Sequence, residues 1–143
     1  MEDPQIVIDT NVLVAALKSR RGASFRLFQL IGQGKFSINI SVPLILEYEE
    51  VAKRQLDKIA LNEENIDNIL NYICSVSHHR KIYYLWRPFL KDLKDDLVLE
   101  LAIASESEYI VTYNKKDFAR VPEKFGVCIL SPKEFLLVIG EIK

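Results

Sequence analysis

Hydrophobic positions along this chain fall into two alternating rhythms. Ile6-Val7-Ile8 is a short unbroken apolar run that stops at Asp9, Thr10 and Asn11. A run of this length between polar residues reads as a buried strand of a parallel sheet. Val12, Leu13, Val14, Ala15, Ala16 and Leu17 follow and read as the first turns of a helix. Asp9 therefore stands where a strand hands over to a helix. After the polar break at residues 18–22, the apolar set Phe25, Leu27, Phe28, Leu30 and Ile31 predicts a helix over residues 23–32, stopped by Gly32 and Gly34. Residues 36–40 alternate and predict a second strand.

Pro43 sits just inside the start of the next helix, where its missing N–H costs nothing. Ile45, Tyr48, Ala52, Leu56 and Ile59 share one face of that helix, and Glu47 lies on the flank within its first turns. Asn62 reads as the N-cap of a helix with Ile66, Ile69, Leu70 and Ile73 at helical spacing. Residues 97–104 are apolar nearly all round and predict a buried helix, entered through Asp92-Leu93-Lys94-Asp95-Asp96. Residues 109–112 and 127–130 predict two more strands. Ser131-Pro132-Lys133-Glu134 is a capping box that opens a last helix. Strands alternating with helices imply an α/β fold, three layers with a central parallel sheet of four to five strands, in one domain over residues 1–143.

Composition narrows the function. The 143 residues are 49% hydrophobic and 27% charged, ordinary for a globular domain. Net charge is −1, which excludes a generic polycation, so nucleic acid would bind through a local patch or metal-bridged phosphates. Cys74 and Cys128 are far apart and read as free thiols of a reducing compartment. No apolar run reaches membrane-span length and no basic-then-apolar leader opens the chain, so a cytoplasmic location is expected.

The chemistry-bearing residues are acids. Parallel strands expose their carboxyl ends on one edge, where α/β folds bind ligands. Asp9, Glu47, Asp95 or Asp96, and Asp117 all fall beside that edge. Each has a plainer role: Asp9 and Asp95 as helix caps, Glu47 as a first-turn surface acid, Asp117 as a loop acid. Together, such carboxylates stay ionised only if a cation compensates them. An all-oxygen set selects a hard ion, Mg²⁺ or Mn²⁺, suited to phosphoryl chemistry.

The block Val7 to Val14, built around Asp9-Thr10-Asn11, resembles the opening motif of the PIN-domain nucleases. Pro43 to Val51, Asp92 to Ala102, Tyr109 to Phe118 and Ile129 to Leu136 resemble that family's later blocks, in order. The resemblance implies a metal-dependent ribonuclease, very often the toxin of a prokaryotic toxin–antitoxin pair. It places Asp9, Glu47 and Asp95 on the family's acidic triad. Thr10 and Asn11 match positions that orient Asp9, and Thr112 matches a polar residue at the strand end. Asn114 stands where a carboxylate is common, and Asp117, three residues on, is taken as the fourth acid. Asp96 is the alternate to Asp95. The resemblance further implies an RNA substrate, an antitoxin partner and a homodimer or higher oligomer. The expected mechanism has Asp9 and Asp95 holding the principal ion, Glu47 positioning water or sharing in binding, and Asp117 completing the cluster.

Other candidates are weaker. His78 and His79 are adjacent, so their side chains diverge and read as surface residues rather than ligands. Tyr83, Tyr84 and Trp86, interleaved with Arg80, Lys81 and Arg87, suit packing or protein contact, and also stacking on single-stranded RNA. Lys18, Arg20 and Arg21 suit RNA backbone contact or a solvated loop. Two rivals remain: a receiver domain, which wants an acidic pair after the first strand, and a non-catalytic PIN fold that binds RNA or protein.

Overall fold

A computed structural model describes residues 3–143, so the first two residues of the expected domain lie outside the described residues. Five parallel strands form the sheet: β1 (Gln5–Ile8), β2 (Ser37–Ile40), β3 (His78–His79), β4 (Tyr109–Val111) and β5 (Cys128–Leu130), in the order β3-β2-β1-β4-β5. Among the described residues seven helices flank it: α1 (Thr10–Lys18), α2 (Ala23–Gln29), α3 (Val42–Arg54), α4 (Glu63–Val76), α5 (Leu93–Ala104), α6 (Val121–Phe125) and α7 (Pro132–Val138). This is the parallel three-layer α/β/α arrangement that the alternation predicts.

β1 is central, paired with β2 and β4, and Ile6, Val7 and Ile8 are all buried because helices cover both faces of the sheet there. α5 packs across β1, β2 and β4, which explains its lack of a polar face. α4 and α7 begin where the sequence places their caps, at Asn62 and Ser131, and Ser41 caps α3. Ser41, Asn62 and Ser131 accept the N–H groups of Leu44, Asn65 and Glu134, filling donors a helix start leaves open.

Five details differ from the sequence reading. α3 ends at Arg54, so Leu56 and Ile59, expected on its face, lie beyond it in the turns that follow. α2 ends at Gln29, and turns carry residues 30–34. His78 and His79 are exposed as expected, yet they form the fifth strand, on the sheet's edge. A 3₁₀ turn at Lys115–Phe118 occupies the stretch around Asp117 read as loop, and the short helix α6 follows where the sequence reading placed no element. Finally, the N-cap of α5 is Asp92, not Asp95: the Asp92 side chain accepts the Lys94 N–H at 2.9 Å. The reason is tertiary. Asp96 is fully buried and its Oδ1 accepts the Leu90 N–H at 2.9 Å, which fixes the helix start one turn upstream.

Candidate active site

β1 ends at Ile8, β4 at Val111, and the two strand ends set Asp9 and Thr112 side by side. The Asp9 N–H donates to Val111 O at 2.9 Å, extending the ladder by one bond. Asp9 then turns the chain into α1. Its Oδ1 accepts the Thr10 N–H at 2.8 Å, so the carboxylate is also the helix cap. Its Oδ2 accepts the Thr112 hydroxyl at 2.7 Å. Asn11 acts at one remove: its amide donates to Thr112 Oγ1 at 3.3 Å and its carbonyl accepts the Tyr113 N–H. Thr10 reaches Asp9 through its backbone, not its hydroxyl. The Asn114 N–H donates to the same Thr112 oxygen at 3.0 Å, which completes a network holding Asp9 in one orientation.

Glu47 and Asp95 approach from α3 and α5. With Asp9, Thr10, Asn11, Asp92, Lys94 and Asn114 they line a cleft of about 320 Å³. Asp96 does not line it; it is held in the core by Leu90. Asp117 is exposed on the 3₁₀ turn and stands outside the lining residues, but close enough for its charge to act on both Asp9 and Asp95. The structure thus gathers Asp9, Glu47 and Asp95 around one cleft, puts Asp117 near it, and removes Asp96.

The electrostatics record this crowding. Burial raises the Asp9 carboxyl above its ordinary range, with repulsion from Glu47 and Asp117 adding to it; hydrogen bonds from Thr112 and Thr10 oppose the rise. Asp95 is pushed up from 3.8 to about 7, by burial first and then by the charges of Asp9, Asp117, Asp92 and Asp96. A cation in the cleft would relieve both. The donor set, carboxylate and amide oxygens without His or Cys, fits a hard divalent ion. The set is open: among the described residues no three His, Cys, Asp or Glu side chains form a ready metal-holding group. Uncompensated like charges keep apart, and Glu47 already has a partner, Lys94 Nζ at 3.5 Å.

Two residues here escaped the sequence reading. Lys94 brings a positive charge into the cleft; its place beside Asp95 was visible, its direction was not. Tyr48 was read only as part of an apolar stripe. It is buried, its hydroxyl donates to Ile8 O at the end of β1, and burial together with the charge of Asp9 raises its pKa. Lys18 and Arg20 lie elsewhere, at an apolar cavity of about 770 Å³ between α1, α2 and α4.

A central parallel sheet thus carries an acidic cleft at the carboxyl ends of its middle strands. The family model of the PIN domain matches residues 5–116, and the chain belongs to the PIN-domain family. Members of this family are typically nucleases and generally use divalent metals. The fold is similar to that in the crystal structure of VapBC2 from Rickettsia felis bound to a DNA fragment from its promoter. That match has a TM-score of 0.60 at 18% identity and covers 89% of this chain and 98% of the other. No curated protein sequence matches the chain. Among the described residues no helix is long and apolar enough to cross a membrane.

Proposed function

We propose that this chain is a Mg²⁺- or Mn²⁺-dependent endoribonuclease, acting as the toxin of a toxin–antitoxin pair. The observation that carries the reading is the cleft itself. A buried, doubly hydrogen-bonded Asp9 faces Asp95, whose proton is held to about pH 7 by burial first and then by neighbouring acids. Such a site favours whatever brings positive charge into it. Asp9, Asp95 and Glu47 would hold the ion, with Asp117 beside them as the fourth acid. When bound, the ion would neutralise charge on phosphate oxygens and lower the pKa of water. The chain's own part is orientation: Thr112, Thr10 N–H and, through Thr112, Asn11 and Asn114 fix the Asp9 carboxylate. Membership of the PIN-domain family supports nuclease chemistry. The shared fold with a VapBC2 complex supports an antitoxin partner. The apolar cavity between α1, α2 and α4 offers surface for such a partner to cover.

The direct test is incubation of the purified chain with labelled single-stranded RNA in Mg²⁺, in Mn²⁺ and in EDTA. Internal cleavage with either metal, and none in EDTA, is the expected result. Intact RNA under all conditions, from protein that still binds it, would establish the non-catalytic reading that Asn114 in the cleft leaves open.

A pH dependence follows from the same acids. Asp95 and Asp9 bind protons more tightly folded than unfolded, so their contribution to stability is full below the ordinary carboxylate value. It is lost as pH rises through the raised folded value of each acid, about 7 for Asp95. Mn²⁺ should therefore raise the melting temperature more at about pH 8 than at about pH 5, because only ionised acids need a cation. Calorimetry with and without Mn²⁺ checks this; equal shifts at the two pH values would contradict it.

A further inference from the structure

The segment between β3 and α5 displays aromatic rings that the core does not use. Tyr83 is 88% exposed and Tyr84 66%. The segment has no helix or strand of its own, yet it is tied at both ends. Arg80 N–H donates to Ile40 O at 2.8 Å, and its Nε donates to Asn39 at 2.9 Å. At the other end, the Trp86 N–H and the Arg87 guanidinium donate to Glu100, which is only 2% exposed. A strap held this way presents its tyrosines rather than hiding them, although burial would favour large apolar rings.

The rings form a ladder. Tyr84 stacks tilted on Trp86 at 4.7 Å, Trp86 meets Phe125 edge-on at 5.1 Å, and Phe125 meets Phe89 at 5.1 Å. The Arg120 guanidinium lies 4.5 Å over the Phe89 ring. This end is joined to the acidic cleft along the chain: Arg120 follows three residues after Asp117, and Phe89 leads within three residues to Asp92 of the cleft wall. The far end borders a second hollow of about 630 Å³, where Arg80, Lys81, Tyr83, Tyr84 and Trp86 face α5. Glu100 in that hollow is neutralised by Arg87, so Arg80 and Lys81 leave a local positive excess on a chain whose net charge is −1.

We propose that this ladder is a track for single-stranded RNA entering or leaving the acidic cleft. Its bases would stack on Tyr84 and Tyr83, and its phosphates would meet Lys81, Arg80 and Arg120. Aromatic faces interleaved with cations suit single-stranded nucleic acid of any sequence. A protein partner would have less use for the unpaired charge. The proposal rests on the nuclease reading for its substrate, and binding and cleavage separate the two.

The test compares Tyr83→Ala/Tyr84→Ala/Lys81→Ala with the parent, both carrying Asp9→Asn to prevent cutting. The probe is a fluorescent single-stranded RNA of about 16 nucleotides, the upper site size for one small domain, and the readout is anisotropy. The triple variant should bind about 10-fold or more weakly. Its slope of log affinity against log salt should be shallower by about 0.7 for the lost cation. Lys81→Glu alone, a change on an exposed side chain, should weaken binding in the same direction. Unchanged affinity and salt slope overturn the proposal. So does a variant that changes only the oligomeric mass, which would make the ladder a protein contact. With Asp9 restored, cleavage with no binding defect would sink the track and leave the nuclease standing. A binding defect in a chain that never cuts would sink the nuclease and leave the track.

Discussion

Asp9→Asn is expected to lower RNA cleavage by more than about 100-fold, the upper end of the loss seen when merely a partner of a metal ligand is removed. Asparagine keeps the shape and one carbonyl oxygen, so it can still accept the Thr10 N–H at 2.8 Å and cap α1. What disappears is the charge. The folded protein should not suffer; without metal it should melt higher, because a raised, buried acid has been neutralised. Asp95 should respond as well. Asp9 is the foremost charge among those raising it, so Asp95 should titrate below its present value of about 7. Carboxyl NMR titration reads this without any reaction. Retained cleavage in Asp9→Asn would overturn the mechanism; a lowered melting temperature would show that the Thr112 hydroxyl's bond to the charged carboxylate outweighs the cost of burying it.

Arg87→Met is the change expected to harm stability most. It leaves Glu100, whose side chain is 1% exposed, without its ion-pair partner. Removing one member of a buried pair typically costs about 3–5 kcal/mol, because the remaining charge is uncompensated. The Trp86 N–H still donates to Glu100 Oε2 at 2.9 Å, which places the expectation near about 3 kcal/mol. Adding Glu100→Leu to the same chain should recover much of that loss, since an apolar residue on α5 has no charge to strand. Urea unfolding of the single and double variants measures both. If the single variant is as stable as the parent, the clamp on the aromatic strap is weaker than its geometry implies.

Much of this was legible in the residues. Apolar runs ending in polar groups located β1, β2, β4 and β5, and the caps at Asn62 and Ser131 located two helix starts. Those signals are local, so a single sequence carries them. The gathering of Asp9, Glu47 and Asp95 around one cleft was legible because parallel topology sends strand ends and helix starts to one edge. What could not be read depends on contacts between distant residues. β3 is only two residues long and exists because β2 offers it an edge. The choice of Asp92 as cap turns on Leu90 claiming Asp96. Glu100 looked like one polar residue in an apolar helix until Arg87, thirteen positions earlier, was seen to fold over it. Lys94 was passed over because neighbours in sequence do not reveal which way a long side chain swings.

The margins of the sheet carry a consequence of their own. On one side it stops at two residues, His78 and His79, with the clamped strap following at once; on the other it stops at the three of β5. A template so short gives a foreign strand little main chain to copy. Copies of this molecule crowded together should therefore meet through side chains, and remain dispersed where longer bare borders would zip into fibrils.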